Sequence, residues 1–408
     1  MMTVDHPPSS ESRSSGAAIE VLLIFLRLGV SCFGGPIAHI GYFRDEFVTR
    51  RRWLDEPSYA DLVALCQFLP GPASSQVGFS IGLMRAGYPG GLAAWTGFTL
   101  PSAAALMLFA YGAGSFGGPF GVGLLHGLKL VAVAIVAQAV WGMARALCPD
   151  RARATIATVA ALIVLLGASS VAQIGAILLG AIAGLWFCRD MPPAVVGHVA
   201  MPISRRAGFA ALTAFFVLLG VFVLPGQSFP QGIDLFAAFY RSGALVFGGG
   251  HVVLPLLREA FVTPGWVSDD AFLAGYGAAQ AVPGPLFTFA AYLGFVVTAE
   301  PNGLVGAVLG LLGIFLPGIL ILIGTLPFWD AFRMRPRAQA AMRGVNAAVV
   351  GLLGAALYSP VWTTSVKTPA DFGVALIGFV LLVAWRAPPL LVVAISALAG
   401  IGIAWGSL

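Results

Sequence analysis

The sequence predicts an all-α integral membrane protein built from two homologous repeats, inverted relative to each other, with interrupted half-helices and about thirteen transmembrane segments. Three observations predict it. Only 10% of the residues are charged and 59% are hydrophobic, with a mean hydropathy of +0.92; a soluble domain carries roughly a quarter charged residues. Runs such as 90–111, 154–166, 171–187, 207–224 and 390–405 are apolar all round, and each approaches the ~20 residues that cross a bilayer core. A long set of motifs also occurs twice in the same order.

The same composition narrows the function classes. The net charge of +5 comes from Arg residues lying between apolar runs, which is loop asymmetry and not a nucleic-acid footprint. No nucleic-acid partner is expected; the bilayer is. The 52 glycines and 27 prolines would mark broken structure in water, but in lipid they mark close helix packing and interrupted helices. Cys32, Cys66, Cys148 and Cys188 form no CxxC pair and read as packing residues, so no metal and no redox cofactor is expected.

In order along the chain, residues 1–18 read as a disordered polar tail and 19–190 as the first repeat. Residues 191–230 read as a linker with one extra transmembrane helix, and 231–408 as the second repeat. The first apolar run holds Arg27 and leads into a glycine pair, which predicts a retained helix instead of a cleaved signal peptide. The first repeat reads FLRLGVSCFGG from Phe25, RDEFV from Arg44 and QFLPGP from Gln67. The second reads FYRSGALVFGG from Phe239, REAFV from Arg258 and QAVPGP from Gln280. Trp53 and Trp266, then Pro101 and Pro317, then the segments from His126 and Arg343 continue the match. If each PGP segment crosses once, the extra helix makes the crossing number odd and the halves inverted. Loop Lys and Arg then favour a cytoplasmic N-terminus. If the PGP segments are re-entrant, the same reading makes the halves parallel.

Several repeated residues have the chemistry to hold an anion. Arg27 and Arg241 lie midway along apolar runs, where Arg costs on the order of 3 kcal/mol and normally faces a cavity or a partner. Each is a ligand group or a snorkelling or structurally paired Arg. Gly34–Gly35 and Gly248–Gly249 follow at a helix end, where inward N–H groups form an anion nest, or where glycines serve packing or a C-cap. Pro70–Gly71–Pro72 and Pro283–Gly284–Pro285 interrupt a helix and expose the N-terminus of a new one. Ser74, Ser75 and Thr288 add hydroxyl donors, and Gln67 and Gln280 either cap orphan carbonyls or touch the ligand. Paired guanidinium groups beside two half-helix ends suit a tetrahedral dianion. The charges of Arg44–Asp45 and Arg258–Glu259 read as local ion pairs at a membrane surface. His39 and His251 do not align between the repeats and read as structural.

FGGP, a basic segment with RRRWLDE, and QFLPGP, with FGGGH and QAVPGP in the second copy, resemble the chromate ion transporter family in its long-chain form. In that form both homologous domains lie on one polypeptide. The resemblance spans Phe25 to the C-terminus. It implies efflux of chromate from the cytoplasm through the inner (plasma) membrane, chromate resistance, drive by the proton motive force, and sulfate as a competing look-alike. The second copy departs at Gly250–His251, opposite Pro36–Ile37, so the halves are not equivalent. A carrier of sulfate or another tetrahedral oxyanion is the alternative, and an anion channel is the weaker one. No HExxH, Ser/Lys or paired-carboxylate constellation marks an enzyme. A homodimer is compatible with the duplication.

Overall fold

The computed structural model describes residues 15–32, 35–113, 118–167, 170–189, 203–223, 229–246, 252–329 and 335–406, and these are helical with short connections. The first repeat comprises α1 (Ser15–Ser31), α2 (Gly35–Arg44, continued by the π-helical turn Asp45–Arg50) and α3 (Glu56–Phe68). It goes on with α4 (Ala73–Ala113), α5 (Gly118–Leu147), α6 (Arg151–Gly167) and α7 (Ser170–Phe187). Helix α8 (Arg205–Val223) is the unpaired linker helix. The second repeat comprises α9 (Gln231–Ala244), α10 (Val253–Phe261), α11 (Asp269–Ala281), α12 (Phe289–Val296) and α13 (Gly303–Thr325). It ends with α14 (Pro336–Ala356), α15 (Pro369–Val383) and α16 (Pro389–Gly406). Helix α1 starts at Ser15, so the last part of the segment expected to be disordered is helical; residues 1–14 lie outside the described residues.

Five helices among the described residues are long and apolar enough to cross a membrane, and four shorter apolar helices accompany them. One of the five, α4, is in fact two arms. Ala86 (φ −140°) and Gly87 (φ +66°, ψ −157°) break it, and a Cβ on Gly82 would come within 2.2 Å of the Gly90 oxygen. Eight residues of straight helix would separate those glycines by about 12 Å. The arms 73–85 and 88–113 are therefore antiparallel.

The PGP segments fold back instead of crossing. Helix α3 starts at the outer end of the α1–α2 pair, with Glu56 bound to Arg44 and Tyr59 Oη donating to the Ile40 carbonyl, and runs inward. After the break, the first arm of α4 starts with Ser74 beside His39 and returns to Arg85 beside Glu20. In the second repeat Tyr292 Oη of α12 donates to Ala271 O at the start of α11 (3.0 Å), and Phe289 packs on Phe272. Both are re-entrant hairpins, too short in each leg to span.

The halves are nonetheless inverted. The second arm of α4 and its counterpart α13 cross antiparallel: Trp95 packs on Phe315, while Ala103 clusters with Ala291 and Ala307. Each hairpin returns to the side it left, four helices follow in each repeat, and α8 supplies the odd crossing. The repeats are also intertwined. Helix α5 packs on α15 and α16, and its counterpart α14 packs on α6 and α7. The backbones touch there, since a Cβ on Gly344 would lie 2.0 Å from Gly180 O and one on Gly127 2.3 Å from Ser396 O.

Candidate functional site

Where the hairpins meet, the repeats exchange two equivalent hydrogen bonds. Gly71 N–H donates to Val246 O (2.7 Å) and Gly284 N–H to Cys32 O (2.9 Å). Thus each PGP break is fastened to the residue just before the FGG motif of the other repeat. Gly71 has φ +117° and Gly284 φ +94°, conformations that disfavour any residue with a Cβ. There is no room for one either: at Gly71 it would sit 2.9 Å from Gly318 Cα, and at Gly284 3.0 Å from Ser102 Oγ. Gly318 and Ser102 each follow a helix proline, Pro317 and Pro101, near the middle of the long helices. Two broken helices and two prolines so converge at one depth.

Polar groups gather at this junction with too few partners. Ser74, Ser75, Gln76, Thr99 and Ser102 are all buried. The Ser75 Oγ, Thr99 Oγ1, Gln76 Oε1 and Gln280 Nε2 atoms have no hydrogen-bond partner among the described residues, a costly state for a buried polar atom unless something else binds it. Thr288, expected as a donor, is buried and its hydroxyl donates to Pro285 O (2.7 Å) inside its own turn. Gln67 is exposed on α3. Gly35 (φ +77°) opens α2 with nothing within 4 Å of where its Cβ would stand. Gly34, Gly248, Gly249 and His251 lie outside the described residues.

Two further buried polar side chains stand at the junction: His39, which the sequence marks as structural, and Gln76, which it does not single out. His39 is completely buried, with Nδ1 3.3 Å from Ser74 Oγ and its ring edge-on to Phe98. Gln76 Nε2 donates to Pro70 O (3.0 Å) and across the repeats to Gly318 O (2.8 Å). Neither has a polar counterpart: the equivalents of His39 and Gln76 are Val253 and Phe289, and that of Ser74 is Phe287. Repeat matching ranks such residues low, and only their burial at the junction marks them.

The two arginines are not brought into one pocket. Arg27 is exposed on the side of α1 that carries Leu23, Leu26 and Val30, opposite the face of Phe25 and Leu28 that packs on α4. The matching face of α9 is covered by α8, where Arg241 donates to the last-turn carbonyl of Phe222 (2.8 Å). Arg241 also lines a cavity of about 590 Å³ with Gln173, Ser242, Glu259, Thr263 and Trp266. A second cavity of about 160 Å³ shares Gln173, Glu259 and Thr263 with it and adds Arg258 and Ser359.

At the outer ends, Arg44 and Arg258 do form ion pairs, but across elements. Arg44 binds Glu56 at 2.7 Å and touches Asp45 only at 4.0 Å, and Arg258 binds Asp269 at 2.9 Å. The equivalence of these pairs extends the repeat symmetry to the surface. Glu56 strengthens the Arg44 charge and pushes its pKa up.

Comparison with known proteins agrees with this architecture. A family model for chromate transporters matches residues 19–185 and again 233–401. A chromate transport protein of Pseudomonas aeruginosa is 30% identical over 387 residues, covering 89% of this chain and 86% of that protein. A probable chromate transport protein of Synechococcus elongatus is 26% identical over 92% of this chain and 93% of its own length. A chromate transport protein of Cupriavidus metallidurans is 26% identical over 83% and 81%. No solved structure matches. With two copies of the family's domain, intertwined and joined at their broken helices, this multi-pass membrane protein belongs to the chromate transporter family.

Proposed function

We propose that the chain is a secondary transporter that exports chromate from the cytoplasm across the inner membrane, driven by the proton motive force, and so confers chromate resistance. The observation that carries the reading is the convergence of both PGP breaks with unpartnered buried donors. The first arm of α4 presents the positive end of its dipole there. Ser75, Thr99 and Gln280 are groups that a tetrahedral oxyanion satisfies through several oxygens at once. Arg241 serves the same anion from the adjoining cavity, attracting it before it reaches the junction. Arg27 faces the other way and is left out of this pocket. Inverted repeats with a site at their interface favour alternating access over a pore.

Uptake of labelled chromate by everted membrane vesicles tests the proposal, with sulfate as competitor. Gly71→Ala and Gly284→Ala should each lower the initial rate at least tenfold while the protein still inserts. Normal rates in both variants would remove the junction as the site. Uptake of sulfate with chromate excluded would make the chain a sulfate carrier instead.

A further inference from the structure

We propose that His39 is the proton-linked contact of the bound oxyanion: the imidazole holds a proton while the anion occupies the junction and gives it up when the anion leaves. The inference rests on the reading of the junction as the oxyanion site and adds the group that balances its charge.

A dianion inside the membrane needs a nearby positive charge, because the low-dielectric surroundings make an uncompensated charge expensive. Neither repeated arginine supplies it at the junction. Arg27 is exposed on the far side of α1, and Arg241 is held in the cavity against Phe222. Among the described residues, His39 is the side chain there that can take up a positive charge. It stands between the tips of both hairpins, with Ser74 of the first PGP hairpin on Nδ1. Beside the ring is Cys32, whose carbonyl accepts the Gly284 N–H of the second.

The hydrogen bonding of the ring is incomplete in either charge state. Nε2 is fully buried without a partner among the described residues. If Nδ1 carries the proton toward Ser74, Nε2 is an acceptor with no donor. If the ring is protonated on both nitrogens, the Cys32 carbonyl beside it is already shared with the Gly284 N–H, and Nε2–H needs a stronger acceptor. An oxyanion oxygen is that acceptor, and it stabilises the imidazolium that binds it. Histidine is suited to the task because imidazole takes up or releases one proton, and a bound anion favours the protonated form. In the second repeat the equivalent residue is Val253, so His39 can account for no more than one proton per anion.

Other titratable groups on the surrounding elements have their own engagements. On α2 and its π-helical continuation, Glu46 is bound by Arg50 and Arg51. On α3, Tyr59 donates to Ile40 O and Asp61 receives Trp329 Nε1, while Cys66 is a buried thiol. On α1, Cys32 is a buried thiol. The first arm of α4 and the second PGP segment present only uncharged side chains to the junction. Asp61 is the nearest rival as proton carrier and so provides the control.

The test uses the full-length purified chain with chromate as the probe, binding being measured between pH 6 and 9. Chromate itself takes up a proton in this range, so the pH profile of the wild type is read against that of His39→Gln. The wild type should lose affinity with rising pH more steeply than the variant, by up to about tenfold per pH unit. His39→Gln should bind more weakly at low pH and keep only the pH dependence of the ligand. Asp61→Asn should keep the wild-type slope. A dye-monitored proton uptake on adding chromate, present in the wild type and lost in His39→Gln, is the companion measurement. Should the variant not survive purification, that uptake in the wild type alone decides, and none beyond the probe's own overturns the proposal. Identical slopes in wild type and His39→Gln overturn it, as does a slope lost in Asp61→Asn. A wild type that binds neither chromate nor sulfate at any pH overturns the reading of the junction itself.

Discussion

Arg241 and Arg27 occupy one motif position and yet meet different surroundings. The α9 face around Arg241 is sealed by α8: Ala237, Tyr240 and Ala244 are at most 3% exposed, whereas their equivalents Leu23, Leu26 and Val30 on α1 are 38–59% exposed. Arg241→Gln should therefore reduce chromate transport at least tenfold and Arg27→Gln less than threefold, measured as vesicle uptake normalised to inserted protein. Equal losses would mean that both guanidiniums work alike. Gln76 acts differently, as a clamp between repeats. Gln76→Ala removes the bond across the repeats to Gly318 and leaves the Pro70 carbonyl in the helix break without the amide donor, which costs about 1–3 kcal/mol, and should lower the melting temperature of the purified protein. At the surface, the Asp55 side chain caps α3 through the Ser58 N–H. Its bonds to Ser58 hold its carboxyl below the usual carboxylate range. A depressed pKa contributes stability above the unfolded value and loses it as pH falls through the folded one. Asp55→Ala should cost about 1 kcal/mol near neutrality, and the gap to wild type should shrink in acid, as thermal melts at both pH values would show.

Among the elements, the hairpins depend on backbone geometry more than on side-chain chemistry. A helix that stops at PGP and restarts one turn later leaves N–H groups free inside the membrane, and such irregular backbone persists there only when protein or a wet cavity satisfies it. The bonds from Gly71 to Val246 and from Gly284 to Cys32 do this for one donor on each side. The exchange of terminal helices is held by contact between backbones with no Cβ between them. Gly344→Ala would push a methyl into Gly180 O, and overpacking of this kind costs about 1–3 kcal/mol. Lower yield and an earlier melt of the variant are expected, and an unchanged melt would mean that α14 and α7 separate freely.

For the whole molecule, inversion is the property with the plainest consequence. Arg52 and Gly265 end equivalent turns, and both have positive φ, +52° and +79°. The neighbouring Trp53 and Trp266 pack against the equivalent rings of Phe47 and Phe261, the first tilted and the second edge-on. These turns lie at outer ends of hairpins that enter from opposite faces. Single cysteines at Arg52→Cys and Pro264→Cys, in a chain lacking the four native thiols, should react with an impermeant maleimide from opposite sides of the membrane. Labelling of both from one side would show parallel halves and dismantle the pseudo-twofold junction.

The membrane class, the duplication and the two broken segments were legible in the sequence, because each depends on local properties: hydropathy over a run, repeated motifs, and what Pro and Gly forbid. The same reasoning coupled re-entrant PGP segments to parallel halves, but the structure has re-entrant segments and inverted halves together. That coupling failed because the direction of a leg after a break is decided by packing, as when Tyr292 returns to Ala271 and Arg85 to Glu20. Burial likewise could not be read from motif position. Arg27 and Arg241 share a motif but not a neighbour, since α8 has no second copy to cover α1. His39 and Gln76 have no repeat partner, and it is tertiary contact alone that sets them where the two halves touch.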